Sequence, residues 1–168
     1  MTNRHVLPAK RWEHGSNFDL PDVSDLGGPS FAGIESSNLR DYGSGRMALQ
    51  TLIDHGVARR GWTRLWIPSY YCENVVEALD GESIVIDRYH AVPGGSVEFP
   101  DSHDGAALLE SCCFGWPVES DRDFSGDVID DFSHAPAWLG RSQADFAFAS
   151  LRKCLPLPDG ALLWSPTA

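Results

Sequence analysis

The sequence has almost no lysine. Of its 13 Lys and Arg residues only Lys10 and Lys153 are lysines, set against 24 Asp and Glu, so the formal net charge is −11. A chain this poor in cations is not built to neutralise a phosphate backbone or an anionic bilayer surface, which argues against nucleic acid and membrane as partners. No apolar run reaches the length that crosses a bilayer, and Met1-Thr2-Asn3-Arg4-His5 leads into no secretory apolar segment. Cytosolic residence is the expectation. The four cysteines, Cys72, Cys112, Cys113 and Cys154, include no C-x-x-C pair. Buried, reduced thiols are therefore expected rather than a disulfide framework or a zinc site. Repeats and low-complexity tracts are lacking too.

What is present suffices for a core. With 168 residues, 42% of them hydrophobic and six of them tryptophan, the chain fits one globular domain. Met1 to about Asp41 is polar and punctuated by Pro8, Pro21 and Gly27-Gly28-Pro29, which reads as an irregular N-terminal arm over the domain or a neighbouring subunit. The domain proper then occupies 42–168. Ser44 is a good N-cap for a helix with Leu49, Leu52, Ile53 and Val57 as its apolar stripe, ended by Gly56 or Gly61. Strands are expected at Arg64–Pro68, Ser83–Asp87, Ala106–Cys113, Asp127–Ile129, Ala144–Ala149 and Ala161–Trp164, with a short helix at Glu73–Leu79 stopped by Gly81. Short buried strands alternating with helices and loops give an α/β, three-layer domain with a mostly parallel sheet. The last two strands are joined by only about ten residues, too few for a parallel crossover, so the final strand is expected to be antiparallel.

Three clusters carry chemistry. Gly43-Ser44-Gly45-Arg46 opens a helix, where free N–H groups and the helix dipole suit a phosphate, although Ser-Gly before a helix is more often just a cap. Asp130-Asp131-Phe132-Ser133-His134 follows an apolar strand, and a shielded carboxylate there can hold a protonated heterocyclic nitrogen. The alternatives for this stretch are an Asp131 or Ser133 cap on the next helix, or a metal held by Asp130, Asp131 and His134. Strand alternation turns Asp130 away from Asp131. Ser150-Leu151-Arg152-Lys153 matches the S-x-x-K nucleophile motif, but its companion S-D-N and K-T-G elements are missing. Lys153 stands instead just past the carboxyl end of a buried strand, where open α/β sheets place ligands, and lysine is the residue for imine chemistry with a carbonyl cofactor.

From about Ser44 to Leu163 the motifs S-G-R-M-A-L, W-I-P-S-Y-Y-C, F-G-W-P, V-I-D-D-F-S-H-A and A-D-F-A-F-A-S-L-R-K with L-P-L-P-D-G-A-L-L follow in one order. The combination resembles the large domain of the DegT/DnrJ/EryC1/StrS aminotransferases, within the fold-type I superfamily of pyridoxal-5'-phosphate (PLP) enzymes. The resemblance implies that Lys153 forms the internal aldimine with PLP and that Asp131 pairs with the pyridine nitrogen. His134 would sit near the ring, Gly45 and Arg46 would offer backbone amides to the phosphate, and Ser150 its hydroxyl. Tyr71 or Cys72 would stack on the ring. The implied reaction is amino transfer from a small-molecule donor, typically glutamate, to a keto acceptor, a keto-sugar nucleotide by family default. The implied assembly is a homodimer, or a partner chain that completes the site. Family members continue beyond the position of Ala168 with a C-terminal small domain, so the resemblance covers a truncated large-domain portion. The alternatives are a catalytically silent module kept for assembly, or a PLP enzyme of another reaction type such as decarboxylation or elimination.

Overall fold

The computed structural model describes residues 38–79, 83–101, 103–115 and 124–166. Within them run β1 (Leu39–Tyr42), α1 (Gly45–His55), β2 (Arg64–Pro68), α2 (Glu73–Leu79), β3 (Val85–Tyr89), β4 (Ala106–Ser111), β5 (Asp127–Asp131), β6 (Phe146–Ser150) and β7 (Ala161–Trp164). The strands form one sheet in the order β1-β7-β6-β5-β4-β2-β3. Pairings among β2 to β6 are parallel, whereas β7 is antiparallel to both β6 and β1. A single reversed strand, β7, therefore sits in an otherwise parallel sheet, as the short β6–β7 connection requires.

The two faces bury different material. On one, Leu65, Ile67, Ala107, Leu109, Ile129 and Phe148 pack under Ala48, Leu49, Leu52 and Ile53 of α1, with Leu79 of α2 beside them. Those α1 residues are at most 1% exposed, and each large one contributes roughly 1.5–3 kcal/mol by leaving water. On the other face Ala147, Ala149, Leu162 and Trp164 meet Leu139, which lies on a 3-10 helix at Pro136–Arg141. Every residue of β6 is buried, as expected for a strand covered on both faces.

Several boundaries differ from the sequence reading. Leu39–Tyr42, expected as the end of an irregular arm, is an edge strand paired with β7; residues 1–37 lie outside those described, as does Gly81. β3 starts at Val85 rather than Ser83 and runs on to Tyr89, whose hydroxyl donates to the Leu109 carbonyl at 2.9 Å. β4 stops at Ser111, where Cys113–Gly115 turns off as a 3-10 helix. β5 extends through Asp130 and Asp131, which pair with β4 and β6, and each carboxylate finds a hydroxyl donor on its own face of the sheet. Of the four cysteines, all free, only Cys112 is buried; Cys72 and Cys154 are exposed and Cys113 is intermediate. No helix among the described residues is long and apolar enough to cross a membrane.

Both glycines offered as a stop for α1 have work, but different work. The helix continues into a π-helical turn at Gly56–Arg60 that ends at Gly61, with φ 75°. Gly56 is instead a contact surface: a Cβ there would lie 1.9 Å from the Trp62 ring. The ring cannot swing away cheaply, because Trp62 Nε1 donates to Asp127 Oδ2 at 2.6 Å. Helix propensity favours alanine by about 1 kcal/mol, yet overpacking costs typically 1–3 kcal/mol and wins here. Gly56→Ala is expected to lower the urea midpoint; a variant as stable as the parent would refute this packing.

Candidate functional site

The strand order places a crevice where the chain, having built β3 on one side of β2, crosses to build β4 on the other. At the carboxyl ends of β2, β4, β5 and β6, together with the first turn of α1, lies an open cleft of about 690 Å³. All eight candidate residues line it: Gly45, Arg46, Tyr71, Cys72, Asp131, His134, Ser150 and Lys153. So do Ser44, Tyr70, Asn74, Ser111, Cys113, Ser133 and Arg152, which the sequence did not single out for binding.

One wall is the start of α1. Ser44 caps the helix from an extended conformation, its Oγ accepting from Met47 N–H at 3.3 Å and its carbonyl from Ala48 N–H at 3.0 Å. The N–H groups of Gly45 and Arg46, in the first turn, have no intrahelical acceptor and are available to an anion. Gly45 lets this end close on β6. A Cβ on it would come within 3.0 Å of Ser150 Cβ and 3.6 Å of Ser150 Oγ.

The opposite wall is the end of β5. Asp131 is 6% exposed, and its Oδ2 accepts from the Tyr71 hydroxyl at 2.8 Å while Oδ1 accepts from Ser133 N–H at 2.8 Å. The second bond is an Asx-type turn, so Asp131 does locally what a cap would do. The 3-10 helix that follows has no side-chain cap at all. Burial pushes the Asp131 carboxyl above its usual range, and the Ser133 and Tyr71 donors offset part of this. Burial, then the Asp131 charge, pushes the Tyr71 phenol well up; the Tyr70 phenol rises to about 12, chiefly through burial. Both phenols are therefore neutral donors at ordinary pH, Tyr70 to the Ser111 carbonyl at 3.0 Å.

Asp130 points the other way, accepting from Ser142 Oγ at 2.6 Å beyond the far face of the sheet. It does not join Asp131 and His134, and no group of three or more His, Cys, Asp or Glu among the described residues is set to hold a metal. His134 is exposed at the rim. Its Nδ1 accepts from the Phe114 N–H at 3.3 Å, and its ring stacks on that of Phe114, with centroids 5.6 Å apart. A backbone N–H can only donate, so the neutral imidazole here carries its proton on Nε2.

Lys153 ends a 3-10 turn, Leu151–Lys153, directly after β6. The turn is tied down at both ends. Leu151 N–H donates to the Gly160 carbonyl at 2.9 Å, and Gly160 N–H donates to Gly43, ahead of α1, at 2.8 Å. Gly160 has φ 118°, which a side chain would resist. Ser133 is the residue sequence reasoning undervalued: besides fixing Asp131, its Oγ accepts from Ser150 N–H at 3.2 Å, linking the ends of β5 and β6. The signal was the D-x-S spacing of an Asx turn. Tyr71 also differs from expectation. Its ring belongs to the core under α1 and its hydroxyl to Asp131, while Cys72 is the exposed neighbour.

The residues present fit a flat heterocycle carrying an anionic group. The anion end is the α1 terminus with its close-set glycine and the Ser150 hydroxyl. The other end is a buried carboxylate for a ring N–H, and an amine, Lys153, lines the same cleft.

No family model matches the sequence, and no curated protein matches it significantly. Solved structures do match. AtS13 from Actinomadura melliaura is similar at TM-score 0.61 and 19% identity, over 77% of this chain and 42% of that one. Spr1654 from Streptococcus pneumoniae, solved in a PLP-form and a PMP-form, is similar at TM-score 0.60 with 13% and 14% identity, again over 77% and 42%. A DegT DnrJ EryC1 StrS aminotransferase from Brucella abortus matches at TM-score 0.50 and 13% identity, over 76% and 41%. The chain thus spans about two fifths of the length of each of these structures. The chain shares the fold of the matched portion of these aminotransferase structures, an α/β domain on a mostly parallel sheet, as the motifs implied.

Proposed function

We propose that this chain is the cofactor-holding portion of a PLP-dependent aminotransferase-type enzyme. The observation that carries the reading is that a buried, hydroxyl-gripped carboxylate (Asp131) and the amine of Lys153 line one cleft with the start of α1. In this reading the Gly45 and Arg46 N–H groups and the Ser150 hydroxyl receive the phosphate, and Asp131 holds the proton on the ring nitrogen. Lys153 holds the cofactor covalently and, once displaced by a substrate amine, moves a proton as general base. His134 sits beside the ring, and Cys72 offers the nearer exposed wall. PLP supplies an electron sink for negative charge developing on the substrate α-carbon.

The substrates are a small amino donor of the glutamate type and a keto acceptor, a keto-sugar nucleotide by the motif resemblance. A second copy of the chain or a partner chain completes the cleft. Exposed Phe114 (79%) at the rim and Met47 (57%) in the first turn of α1 support an occupant there. Cytoplasmic residence goes with this chemistry.

The test is direct. The protein is incubated with PLP, desalted, reduced with borohydride and digested, and the peptide containing Lys153 is weighed. A mass increase of one reduced cofactor on that peptide is expected, and its absence overturns the reading. Conversion of bound PLP to its amine form by glutamate is expected next. Retention of PLP without that conversion would favour a silent module over a transferase.

A further inference from the structure

We propose that Tyr71 is the positioning residue for Asp131, its hydroxyl holding the carboxylate ionised and turned into the cleft rather than its ring facing a ligand. The inference rests on the reading of Asp131 as the partner of a ring nitrogen, and it adds what keeps that group competent. Tyr71 is 9% exposed, its ring is packed in the core beneath α1, and its N–H is fixed on the Pro68 carbonyl at 2.9 Å. The phenol is therefore aimed, with little freedom to turn out. Its hydroxyl meets Asp131 Oδ2 at 2.8 Å from a point 60 residues away in sequence.

The other oxygen of Asp131 accepts from the local Ser133 N–H, and the Ser133 hydroxyl, from the same turn, also supports the carboxylate. Among the described residues no salt bridge reaches Asp131. Its titratable neighbours are Tyr71, Tyr70, His134, Cys112 and Cys113, and Lys153 lines the same cleft. A buried carboxylate without a salt bridge stays charged chiefly through its hydrogen bonds. Removing the phenol O–H takes from Oδ2 its Tyr71 donor and leaves the local Ser133 bonds alone to hold the carboxylate. The carboxyl is then free to take up a proton and rotate, and it loses both the charge and the aim that a ring N–H needs.

The test compares the parent with Tyr71→Phe, which keeps the ring and deletes the hydroxyl. Cofactor-free protein labelled with 13C at aspartate carboxyls is titrated, the Asp131 signal being assigned by its loss in Asp131→Asn. PLP dissociation constants and thermal midpoints are measured on the same samples. Tyr71→Phe is expected to move the Asp131 titration upward and to weaken PLP about tenfold, the loss typical of one hydrogen bond to a charged group. Leu52→Ala, which loosens the same core, is expected to lower the midpoint and leave the titration where it was. An unmoved Asp131 titration in Tyr71→Phe overturns the proposal, as does an equal movement in Leu52→Ala. If the parent protein binds no PLP, the cofactor reading fails, while the titration of the cofactor-free protein still decides the coupling of Tyr71 to Asp131.

Discussion

Lys153→Ala is expected to abolish covalent retention of PLP altogether: no cofactor mass on the peptide that follows β6 after borohydride, and no visible absorbance surviving desalting. The sequence holds only one other lysine, Lys10, so substitute amines are few. The loss should be specific to the bond. The side chain is exposed on a 3-10 turn whose hydrogen bonds are made by the backbone of Leu151, Cys154 and Gly160. The far-ultraviolet spectrum should therefore stay close to that of the parent, because the backbone bonds that shape the turn do not involve the amine. Reversible PLP binding should survive at reduced affinity, since Asp131 and the α1 terminus are untouched. Undiminished labelling of the variant would remove Lys153 from its assigned place.

Asp131→Asn should separate binding from stability. An asparagine cannot supply a charge to a ring N–H, and a hydrogen bond to a charged group contributes about 1.5–3 kcal/mol, so PLP affinity should fall about ten- to hundredfold. The cofactor-free fold should respond in the opposite sense. Burial raises the carboxyl above its ordinary range. The native state therefore holds this proton more tightly than the unfolded chain does, and stability falls as pH rises from the ordinary carboxylate value through the raised one. In Asp131→Asn that decline should vanish, leaving the variant at least as stable as the parent at neutral pH. Asp127 has the reverse sign: the Arg60 guanidinium, aided by the Trp62 N–H, holds it low against the cost of burial. Its contribution is present above the ordinary carboxylate value and is lost as pH falls through the depressed one. Urea unfolding across pH on both proteins isolates Asp131 as the difference. A parallel pair of profiles would contradict the assigned burial cost.

Much of this arrangement was legible where local chemistry decides it. The β6–β7 connection is too short for anything but reversal, and β7 is reversed. Period-2 alternation sends Asp130 and Asp131 to opposite faces, and their hydroxyl partners, Ser142 and Tyr71, lie on opposite sides of the sheet. The helix Glu73–Leu79 has its expected bounds. What escaped notice depends on partners distant in the chain. Leu39–Tyr42 carries Arg40 and Asp41 and reads as a polar arm; it becomes a strand because β7 offers it a free edge. Tyr71 invites an aromatic-stacking role until the fold brings Asp131 against its hydroxyl. The carboxylates of β5 look like a strand end for the same reason, since their donors come from other elements.

The edge formed by β1 and β7 has a consequence for the order of assembly. Leu39 is opposite Trp164, so the first described strand waits for the last before it has a neighbour. The lead-in to α1 is likewise anchored through Gly43 to Gly160, beyond the lysine turn. During synthesis from the N-terminus, every side chain lining the cleft up to Lys153 is therefore made before the geometry that joins them can exist. Such long-range closure is slow, and intermediates awaiting it expose apolar surface. A nascent chain halted before Ala161 should thus carry the side chains of the cleft without the β7 closure that aligns them.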